Sequence, residues 1–305
     1  MVNYQSEKCS RMTVREKKDG DITYLVIENV HGFSVLKTFD CGQCFRFEPV
    51  KDSPHEAEFA GVALGRFLSA AQDGSTLYIY NCDLDFYRGH ICSYLGLDMN
   101  YEAIREDIAK RCPTEYMLNV MERGEGIRIL RQERWEALCS FIISQNNNIP
   151  RIKKIIRALS EKCGEEIDAS LMQYHGAQAR EFAFPTPEAV LDLGESGLRD
   201  LRVGFRASYI FDAALKVTSG ELDLDLVAYL TTSDCLDALC AVKGVGLKVA
   251  SCTALFGMEK YDAFPIDVWI RRVLAEKFPG DFDPSALGEY AGIAQQYMFY
   301  AARFD

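Results

Sequence analysis

The stretch Val242-Lys243-Gly244-Val245-Gly246-Leu247-Lys248-Val249-Ala250-Ser251-Cys252 lies between two segments whose sequences favour helices. Gly244 and Gly246 can adopt backbone angles that a side chain would forbid, so the chain can make a tight hairpin there. The amides of that hairpin and of the first turn of the next helix would point outward and could bind a phosphate. The stretch therefore predicts two helices joined by a phosphate-binding hairpin, with Lys248 in the first turn of the second helix.

A second stretch, Phe264-Pro-Ile-Asp-Val-Trp269, opens another apolar run. Asp267 follows a proline there, and this is a position where a carboxylate caps the N-terminus of a helix. Lys248 could be an ordinary solvated lysine, and Asp267 could be an N-cap and nothing more. A Gly-x-Gly hairpin alone is a weak signal, but its combination with a lysine and an aspartate indicates chemistry.

The composition is that of a soluble globular protein, with 48% hydrophobic and 26% charged residues among 305. Since no long apolar run and no charged-then-apolar N-terminal segment occurs, we expect neither a membrane span nor secretion. The expected location is the cytoplasm or nucleoid, or the nucleus in a eukaryote. Eleven irregularly spaced cysteines fit a reducing compartment. We interpret the pair Cys41 and Cys44 as unligated, with metal or redox work as the alternative.

The net charge of −11 argues against a broad basic surface but does not exclude DNA binding, which depends on local patches. Cationic residues form three clusters, which are Arg151, Lys153, Lys154 and Arg157; Arg199, Arg202 and Arg206; and Lys243, Lys248, Arg271 and Arg272. Any one cluster could be a solvated helix face. Because all three lie beside motif residues, we expect a DNA-facing edge.

The chain up to about residue 98 has the pattern of β-strands. The segment from Thr23 to Val30 is rich in β-branched and aromatic residues, and Gln72-Asp-Gly-Ser75 between apolar runs predicts a hairpin. The sequence therefore predicts an antiparallel β domain over residues 1–98.

From residue 99 the apolar spacing becomes helical. Apolar residues recur at helical intervals from Trp135 to Ile143 and from Ile152 to Leu159, with three consecutive asparagines forming a turn between them. Further helices are predicted over residues 187–193, 205–218, 235–240, 247–256, 268–277 and 288–304. The expected fold class is α+β, with an all-helical domain over residues 99–305.

Five motifs then identify a family. They are Cys41-Gly-Gln-Cys-Phe-Arg-Phe47, Phe141-Ile-Ile-Ser-Gln-Asn-Asn-Asn-Ile-Pro-Arg151, Leu201-Arg-Val-Gly-Phe-Arg-Ala-Ser-Tyr209, the hairpin with its Pro-x-Asp-Val, and Tyr290-Ala-Gly-Ile-Ala-Gln-Gln-Tyr-Met-Phe299. Together they resemble the 8-oxoguanine DNA glycosylase/AP lyases of the helix-hairpin-helix superfamily. The resemblance covers nearly the whole chain after residue 20. It implies an enzyme that extrudes and excises 8-oxoguanine, preferably opposite cytosine, and then cleaves the strand by β-elimination.

The resemblance implies a role for each matching position. Lys248 would be the nucleophile that forms a Schiff base, and Asp267 would stabilise the positive charge developing on the sugar. Gly42 would offer its carbonyl to the N7 hydrogen of 8-oxoguanine, Cys252 and Phe299 would sandwich the base, Gln295 would read its Watson–Crick edge and Phe256 would add a wall. Without the resemblance, Cys252 and Phe299 would be assigned to a helical core.

On the opposite side, Asn146, Arg151 and Arg206 match residues that contact the orphaned cytosine, and Phe205 matches an aromatic wedge. Helix caps and surface arginines are the alternative interpretation. The hairpin resembles those that hold a monovalent or divalent cation through backbone carbonyls, here of Cys240, Val242 and Val245, although Lys243 replaces a frequent proline. No cofactor is required by the resemblance, and the expected partner of this monomer is damaged double-stranded DNA. Trp269 and Ala302 replace a His and an Asp of some family members.

Three rival functions remain. An alkylated-purine glycosylase would share Asp267 and the hairpin but would typically lack Lys248. A glycosylase of the endonuclease III or adenine-mismatch type would add four cysteines near the C-terminus for an iron–sulfur cluster, whereas the last cysteine here is Cys252. A noncatalytic DNA-binding module would use the hairpin only to bind phosphates and would not require Lys248 and Asp267 together.

Overall fold

A computed structural model of the chain describes residues 12–178, 180–278, 280 and 282–304. Two compact units are present. The first contains the described residues up to Ile104 together with Glu125–Arg131 and Glu166–Ala183, and the second contains Arg105–Gly124, Gln132–Glu165 and the residues from Phe184 onward. Residues 1–11 of the predicted β domain lie outside the described residues. The single boundary between residues 98 and 99 stays a prediction.

The first unit is built on a six-stranded antiparallel sheet with the spatial order β1-β2-β6-β5-β4-β3. Its strands are β1 (Thr13–Asp19), β2 (Ile22–Glu28), β3 (Phe47–Pro49), β4 (Ala57–Ala63), β5 (Arg66–Asp73) and β6 (Thr76–Tyr80). Between β5 and β6 the last paired residues are Asp73 and Thr76, and Gly74 takes a positive φ of 54° in the turn. This arrangement confirms the antiparallel sheet and the hairpin that the sequence predicts.

Helices account for most of the remaining regular structure. They are α1 (Val35–Asp40), α2 (Leu84–Phe86), α3 (Cys92–Tyr94), α4 (Tyr101–Arg111), α5 (Glu115–Arg123), α6 (Arg134–Ser144), α7 (Ile149–Cys163), α8 (Pro187–Asp200), α9 (Ala207–Thr218), α10 (Leu224–Tyr229), α11 (Thr232–Cys240), α12 (Leu247–Gly257), α13 (Val268–Lys277) and α14 (Ala291–Phe304). A π-helical turn spans Tyr87–Ile91, and 3-10 turns span Ser170–His175, Gly204–Arg206 and Pro284–Tyr290. A two-stranded sheet pairs β7 (Glu166–Ile167) with β8 (Glu181–Phe182).

The strand pattern of the first 98 residues conceals two helical segments. Ser34 caps α1, because its hydroxyl accepts a hydrogen bond from the Lys37 amide, and Asp83 caps the helical segment from Leu84 by accepting from the Phe86 amide. Such caps satisfy amides that have no partner inside the helix. The interpretation of this whole region as strands was therefore wrong at these two places.

Apolar residues cover both faces of the six-stranded sheet. Leu25, Ile27, Leu77 and Ile79 point to one face and pack in a buried cluster that includes α1. On the other face a smaller cluster contains Ala60, Val62, Phe67, Ala169 and Met172. Alternation of side chains along each strand produces this division. The segment Glu166–Ala183 therefore contributes to the core of the first unit.

A buried carboxylate lies on β4. Glu58 is 4% exposed and accepts hydrogen bonds from Ser53, from the Ser69 hydroxyl at 2.6 Å and from Nδ1 of His175 at 2.6 Å. Burial raises the pKa of the Glu58 carboxyl, but these hydrogen bonds outweigh burial and leave the pKa below its ordinary value of 4.5. Glu58 thus links the sheet to the 3-10 turn Ser170–His175.

In the second unit the predicted apolar stripes are confirmed. Leu138, Ile142 and Ile143 are buried on α6, and Ile152 and Ile156 are buried on α7. Helix α8 extends beyond the predicted end at residue 193, but Gly194 breaks it with a φ of 70° and a ψ of 167°. Among the described residues, no helix is both long and apolar enough to cross a membrane.

Candidate active site

The predicted hairpin connects α11 to α12 through residues 241–246. Gly244 has a φ of 74°, which an L side chain rarely adopts, while Gly246 forms the N-cap of α12 with a φ of −104°. Within the described structure no side chain caps α12, and its first turn carries no acidic residue. The amides of this turn are therefore available to an anion, as the sequence predicts.

Two side chains of α9 hold the hairpin in place. The Tyr209 ring lies against Gly244 so closely that a Cβ on Gly244 would be 2.3–2.4 Å from three ring carbons. The Lys243 amide donates a hydrogen bond of 2.8 Å to Oδ2 of Asp212. The hairpin conformation thus depends both on a glycine and on two neighbours that the motif itself does not contain.

Lys248 lies in the first turn of α12 and is half-buried. Its ammonium donates to Oγ of Ser144 at 3.3 Å and lies 5.8 Å from the centroid of the Phe141 ring. Phe141 in turn stacks on Phe256, with ring centroids 5.3 Å apart. Because Lys248, Cys252 and Phe256 are spaced by four residues, they share one face of α12. The structure therefore brings the proposed nucleophile together with two of the predicted pocket residues.

Asp267 is the N-cap of α13, and its Oδ1 accepts from the Ile270 amide at 2.8 Å. The charges of Lys248 and Asp267 both affect the pKa of the Cys252 thiol. Burial raises the pKa of the Cys252 thiol, the Lys248 charge and hydrogen bond lower it, and the Asp267 charge raises it. Lys248 and Asp267 thus lie at the N-terminal ends of two helices, α12 and α13.

Gln295 and Phe299 lie four residues apart on α14 and so share a face. Gln295 is 4% exposed, and among the described residues its Oε1 has no hydrogen-bond donor. Such an unpaired buried oxygen costs free energy unless a ligand satisfies it. Phe299 is half-buried. The Oε1 atom of Gln295 is therefore a candidate acceptor for a hydrogen-bond donor on the polar edge of a ligand.

The residues assigned to the opposite base are also brought together. Arg206 is 4% exposed, and its guanidinium donates to the carbonyls of Gln145, Asn146 and Val203. The same guanidinium lies 4.4 Å from the centroid of the Phe205 ring, which is 49% exposed. Burial lowers the pKa of Arg206, and the nearby charge of Arg151 lowers it further.

The Asn run forms the predicted turn, and Arg206 holds it. Asn146 has a positive φ of 47°, and the side chain of Asn148 caps α7 by accepting from the Arg151 amide at 3.0 Å. Arg151 itself is exposed and reaches the Arg202 carbonyl at 3.5 Å. In this structure Asn146 and Arg151 are therefore presented to solvent, whereas Arg206 is occupied by backbone carbonyls.

Gly42 belongs to the first unit and lies between α1 and β3 with a φ of 82°. The neighbouring Gln43 is fully buried, donates to the Thr38 and Arg128 carbonyls at 2.8 Å and accepts from the Leu130 amide at 2.8 Å. These bonds fix the backbone on the C-terminal side of Gly42. Cys41 and Cys44 are buried, and neither is in a disulfide.

Among the residues that the structure describes, the side chains do not form an evident metal site. Within the described ranges, no group of three or more His, Cys, Asp or Glu side chains could hold a metal ion. At the hairpin, Cys240 is the last residue of α11, and the Val242 carbonyl accepts from the Val245 amide at 3.0 Å. Carbonyls at a helix C-terminus have no donor within the helix. Any cation here would be held by backbone oxygens.

Sequence reasoning did not assign functions to Ser144, Tyr209 and Asp212. All three occur in or near quoted motifs, but their contacts join residues far apart in the chain, such as Lys248 and Ser144, which are 104 positions apart. No spacing rule for a single helix could have found them.

Trp269 lies two residues after Asp267 and is 44% exposed. The Arg272 guanidinium lies 5.4 Å from the centroid of the Trp269 ring.

Comparisons with known proteins identify the family of this chain. The family described as 8-oxoguanine DNA glycosylase, N-terminal domain, matches residues 25–138, and the HhH-GPD superfamily of base excision DNA repair proteins matches residues 139–285. A solved structure described as MBOgg1 in complex with a low-affinity DNA ligand is 35% identical, with a TM-score of 0.85, and covers 96% of this chain and 99% of that one.

Two further proteins are similar to this chain. The Clostridium acetobutylicum 8-oxoguanine glycosylase/lyase, solved with double-stranded DNA containing cytosine opposite 8-oxoG, is 33% identical with a TM-score of 0.85 over 96% of this chain and 98% of its own. The N-glycosylase/DNA lyase of Saccharomyces cerevisiae is 32% identical over 62% of this chain. The match spans about half of that yeast protein, 51%. The chain therefore belongs to the 8-oxoguanine DNA glycosylase/lyase family of the helix-hairpin-helix base-excision repair superfamily.

Proposed function

We propose that this protein excises 8-oxoguanine from double-stranded DNA and then cleaves the strand at the abasic site. The observation that carries the proposal is the position of Lys248 in the first turn of α12, beside Ser144 and on the helix face that carries the buried Cys252 and Phe256. Family membership supports the same activity, since relatives are described as glycosylase/lyases. An enzyme acting on a base must first extrude it from the duplex, which costs a few kcal/mol.

Lys248 is the proposed nucleophile. Its unprotonated amine attacks C1′ of the extruded nucleotide, a C–N bond forms, and the bond from C1′ to the base breaks with the electron pair leaving on the base. Loss of the amine proton and opening of the sugar ring then give the Schiff base. Removal of a proton from C2′ allows the bond from C3′ to the phosphate oxygen to break, so that the strand is cleaved by β-elimination.

Asp267 is proposed to stabilise the positive charge that develops on the sugar as the base departs. A carboxylate held near the reacting carbon stabilises this charge most when water is excluded. Its position is fixed by the hydrogen bond from the Ile270 amide to Oδ1, and among the described residues no hydrogen bond to Oδ2 occurs. Asp267 can therefore cap α13 with one oxygen and face the sugar with the other.

Base recognition is proposed to use the residues that the resemblance assigns. The unpaired Oε1 of Gln295 would accept a hydrogen bond from the Watson–Crick edge, which relieves an unsatisfied buried group. Cys252 and Phe299 would contact the base faces, with Phe256 as a further wall. The Gly42 carbonyl would accept from the N7 hydrogen, which guanine lacks, so that guanine would leave two acceptors facing each other.

Preference for cytosine opposite the lesion is a further part of the proposal. Asn146 and Arg151 are exposed and offer an amide and a guanidinium, which can pair with the acceptors and donor of cytosine. Phe205 is half-exposed and would fill the vacated stack. Arg206 already binds three backbone carbonyls, so it would reach cytosine only after exchanging some of these bonds.

Three additional proposals concern ligands and organisation. The carbonyls of Cys240, Val242 and Val245 would hold a monovalent or divalent cation, since oxygen ligands of this kind suit hard cations. The chain would act as a monomer on damaged double-stranded DNA without an iron–sulfur cluster or other required cofactor. An N-terminal β domain over residues 1–98 and a helical domain over residues 99–305 would share this work, in the cytoplasm, nucleoid or nucleus.

The test is single-turnover excision on four duplexes that carry 8-oxoguanine opposite C, T, G or A, with an undamaged duplex as control. The proposal expects base release and strand cleavage that are fastest opposite cytosine and absent from the control. Equal rates opposite all four bases would refute the cytosine preference. An intact lesion strand even after alkali would refute the substrate, and alkylated purines would be tried next.

A further inference from the structure

The segment that runs from Arg206 into helix α9 carries side chains that reach two separate parts of the proposed DNA-binding edge. Arg206 precedes the helix and holds the turn at Asn146, whereas Tyr209 and Asp212 hold the hairpin. The three positions are spaced by three residues, and residues three apart are neighbours on a helix surface. One side of this short segment therefore organises the asparagine turn, the wedge candidate and the hairpin.

The Tyr209 ring makes two contacts that matter. It occupies the space that a Cβ on Gly244 would need, and it meets the Phe205 ring edge-on, with centroids 5.7 Å apart and planes at 70°. Edge-to-face pairs of aromatic rings are a favoured geometry. Since the same ring touches both groups, a change in the position of the hairpin would disturb the wedge candidate.

Asp212 is a carboxylate beside a hairpin that is proposed to bind phosphate. A negative charge there repels phosphate, so its electrostatic effect on DNA binding is unfavourable. Its contact with the Lys243 amide, at 2.8 Å, offers a geometric benefit instead. The bond fixes the residue that directly precedes Gly244 and so restrains the entry to the turn.

We propose that Tyr209 and Asp212 are positioning residues that hold the hairpin in its phosphate-binding conformation and tie it to Phe205. The inference rests on the proposed function in one respect, namely that the hairpin binds the DNA backbone. A hairpin that is already ordered loses less conformational freedom when DNA binds, and affinity rises accordingly. The two residues act through the hairpin and need not touch the DNA.

The experiment measures the Kd for a duplex with a tetrahydrofuran abasic analogue opposite cytosine, at several salt concentrations. The variants are Tyr209→Ala and Asp212→Ala, with Tyr209→Phe and Asp212→Asn as controls that keep the ring and a hydrogen-bond acceptor. Asp212→Ala lies within a helix, where alanine is the best helix former, so this variant keeps the fold even if Tyr209→Ala does not. Thermal unfolding checks each protein.

Loss of either contact should weaken binding about three- to tenfold, the worth of one hydrogen bond or packing contact. In the two alanine variants, the slope of log Kd against log salt should fall by about one, which corresponds to the loss of one phosphate contact. Tyr209→Phe and Asp212→Asn should keep the wild-type slope. A merely structural role would change stability without changing this slope. Unchanged Kd and slope in both alanine variants would overturn the inference.

Asp212 offers a second way to refute the inference. If Asp212→Asn and Asp212→Ala tightened binding by the same factor, the carboxylate would act by repulsion alone and would have no positioning role. Failure of the proposed function is distinguishable, because wild-type protein would then leave 8-oxoguanine in place while the binding comparison could still be made.

Discussion

Gly244→Ala is the substitution that the hairpin geometry predicts to be most damaging among the glycines of the motif. Its φ of 74° lies in the left-handed region, and this conformation costs an L residue about 1–2 kcal/mol. The new Cβ would also lie 2.3–2.4 Å from three carbons of the Tyr209 ring, which must therefore move. Overpacking of this kind costs about 1–3 kcal/mol. The expected total is about 2–5 kcal/mol.

Gly246→Ala is the matched control. Gly246 has an ordinary φ of −104°, and a Cβ there would meet no atom within 4 Å among the described residues. Glycine is nearly as good an N-cap as Ser, Thr, Asn or Asp, and alanine is a poorer one. The expected cost of Gly246→Ala is therefore about 1 kcal/mol. The two substitutions differ by one methyl group each and lie two residues apart, so the comparison isolates the backbone angle and the Tyr209 contact.

The assay is thermal unfolding of both variants together with their Kd for an abasic-analogue duplex. For a unit of this size, about 2–4 °C of Tm corresponds to 1 kcal/mol, so a cost of about 2–5 kcal/mol should lower the Tm of Gly244→Ala by about 4–20 °C. Where the hairpin rearranges locally instead, the loss should appear in DNA affinity. Adding Tyr209→Ala should recover the clash contribution but not the cost of the backbone angle. Equal Tm and Kd for the two glycine variants would refute the reasoning.

Three further predictions concern separate parts of the molecule. Asp267→Asn should leave the Tm nearly unchanged, because Asn caps helices as well as Asp, but should lower the single-turnover excision rate by about a hundredfold or more. A loss of excision that is fully explained by a loss of stability would make Asp267 a cap only. Wild-type stability should fall as the pH drops below the ordinary value of 4.5, because the pKa of Glu58 is lower in the folded state, and urea unfolding of Glu58→Gln should show a shallower pH dependence. Arg206→Lys should cost about 2–4 kcal/mol, measured by urea unfolding, since one ammonium cannot replace the guanidinium bonds to three carbonyls; an unchanged midpoint would contradict this account of the asparagine turn.

Local chemistry explains what the sequence could predict. The turn at Gly74 and the proline before Asp267 each determine backbone geometry within a few residues, and both predictions are confirmed. The amphipathic stripes of α6 and α7 are equally local, because burial of one helix face follows from spacing alone. The helices at Val35 and Leu84 were missed since single caps at Ser34 and Asp83 compete with a strand-like composition.

Contacts between distant segments could not be predicted in this way. Tyr209 lies 35 positions from Gly244, and the periodicity of neither segment indicates that the ring packs on the glycine. The same holds for Ser144 beside Lys248 and for the carbonyls that surround Arg206. Arg206 was assigned to the opposite base by resemblance, and only its buried hydrogen bonds indicate that it also supports the turn. The functions of all these site residues stay proposals.

The nucleophile is the central claim, and borohydride trapping with peptide mapping tests it most directly. Protein is incubated with a duplex containing 8-oxoguanine opposite cytosine in the presence of borohydride, and the cross-linked protein is digested and analysed by mass spectrometry. The account predicts a nucleotide remnant on Lys248 and no adduct with Lys248→Gln, whereas Lys243→Gln, at the same hairpin, should still be trapped. A remnant on another lysine, or a cleavable abasic site formed without any adduct, would contradict it.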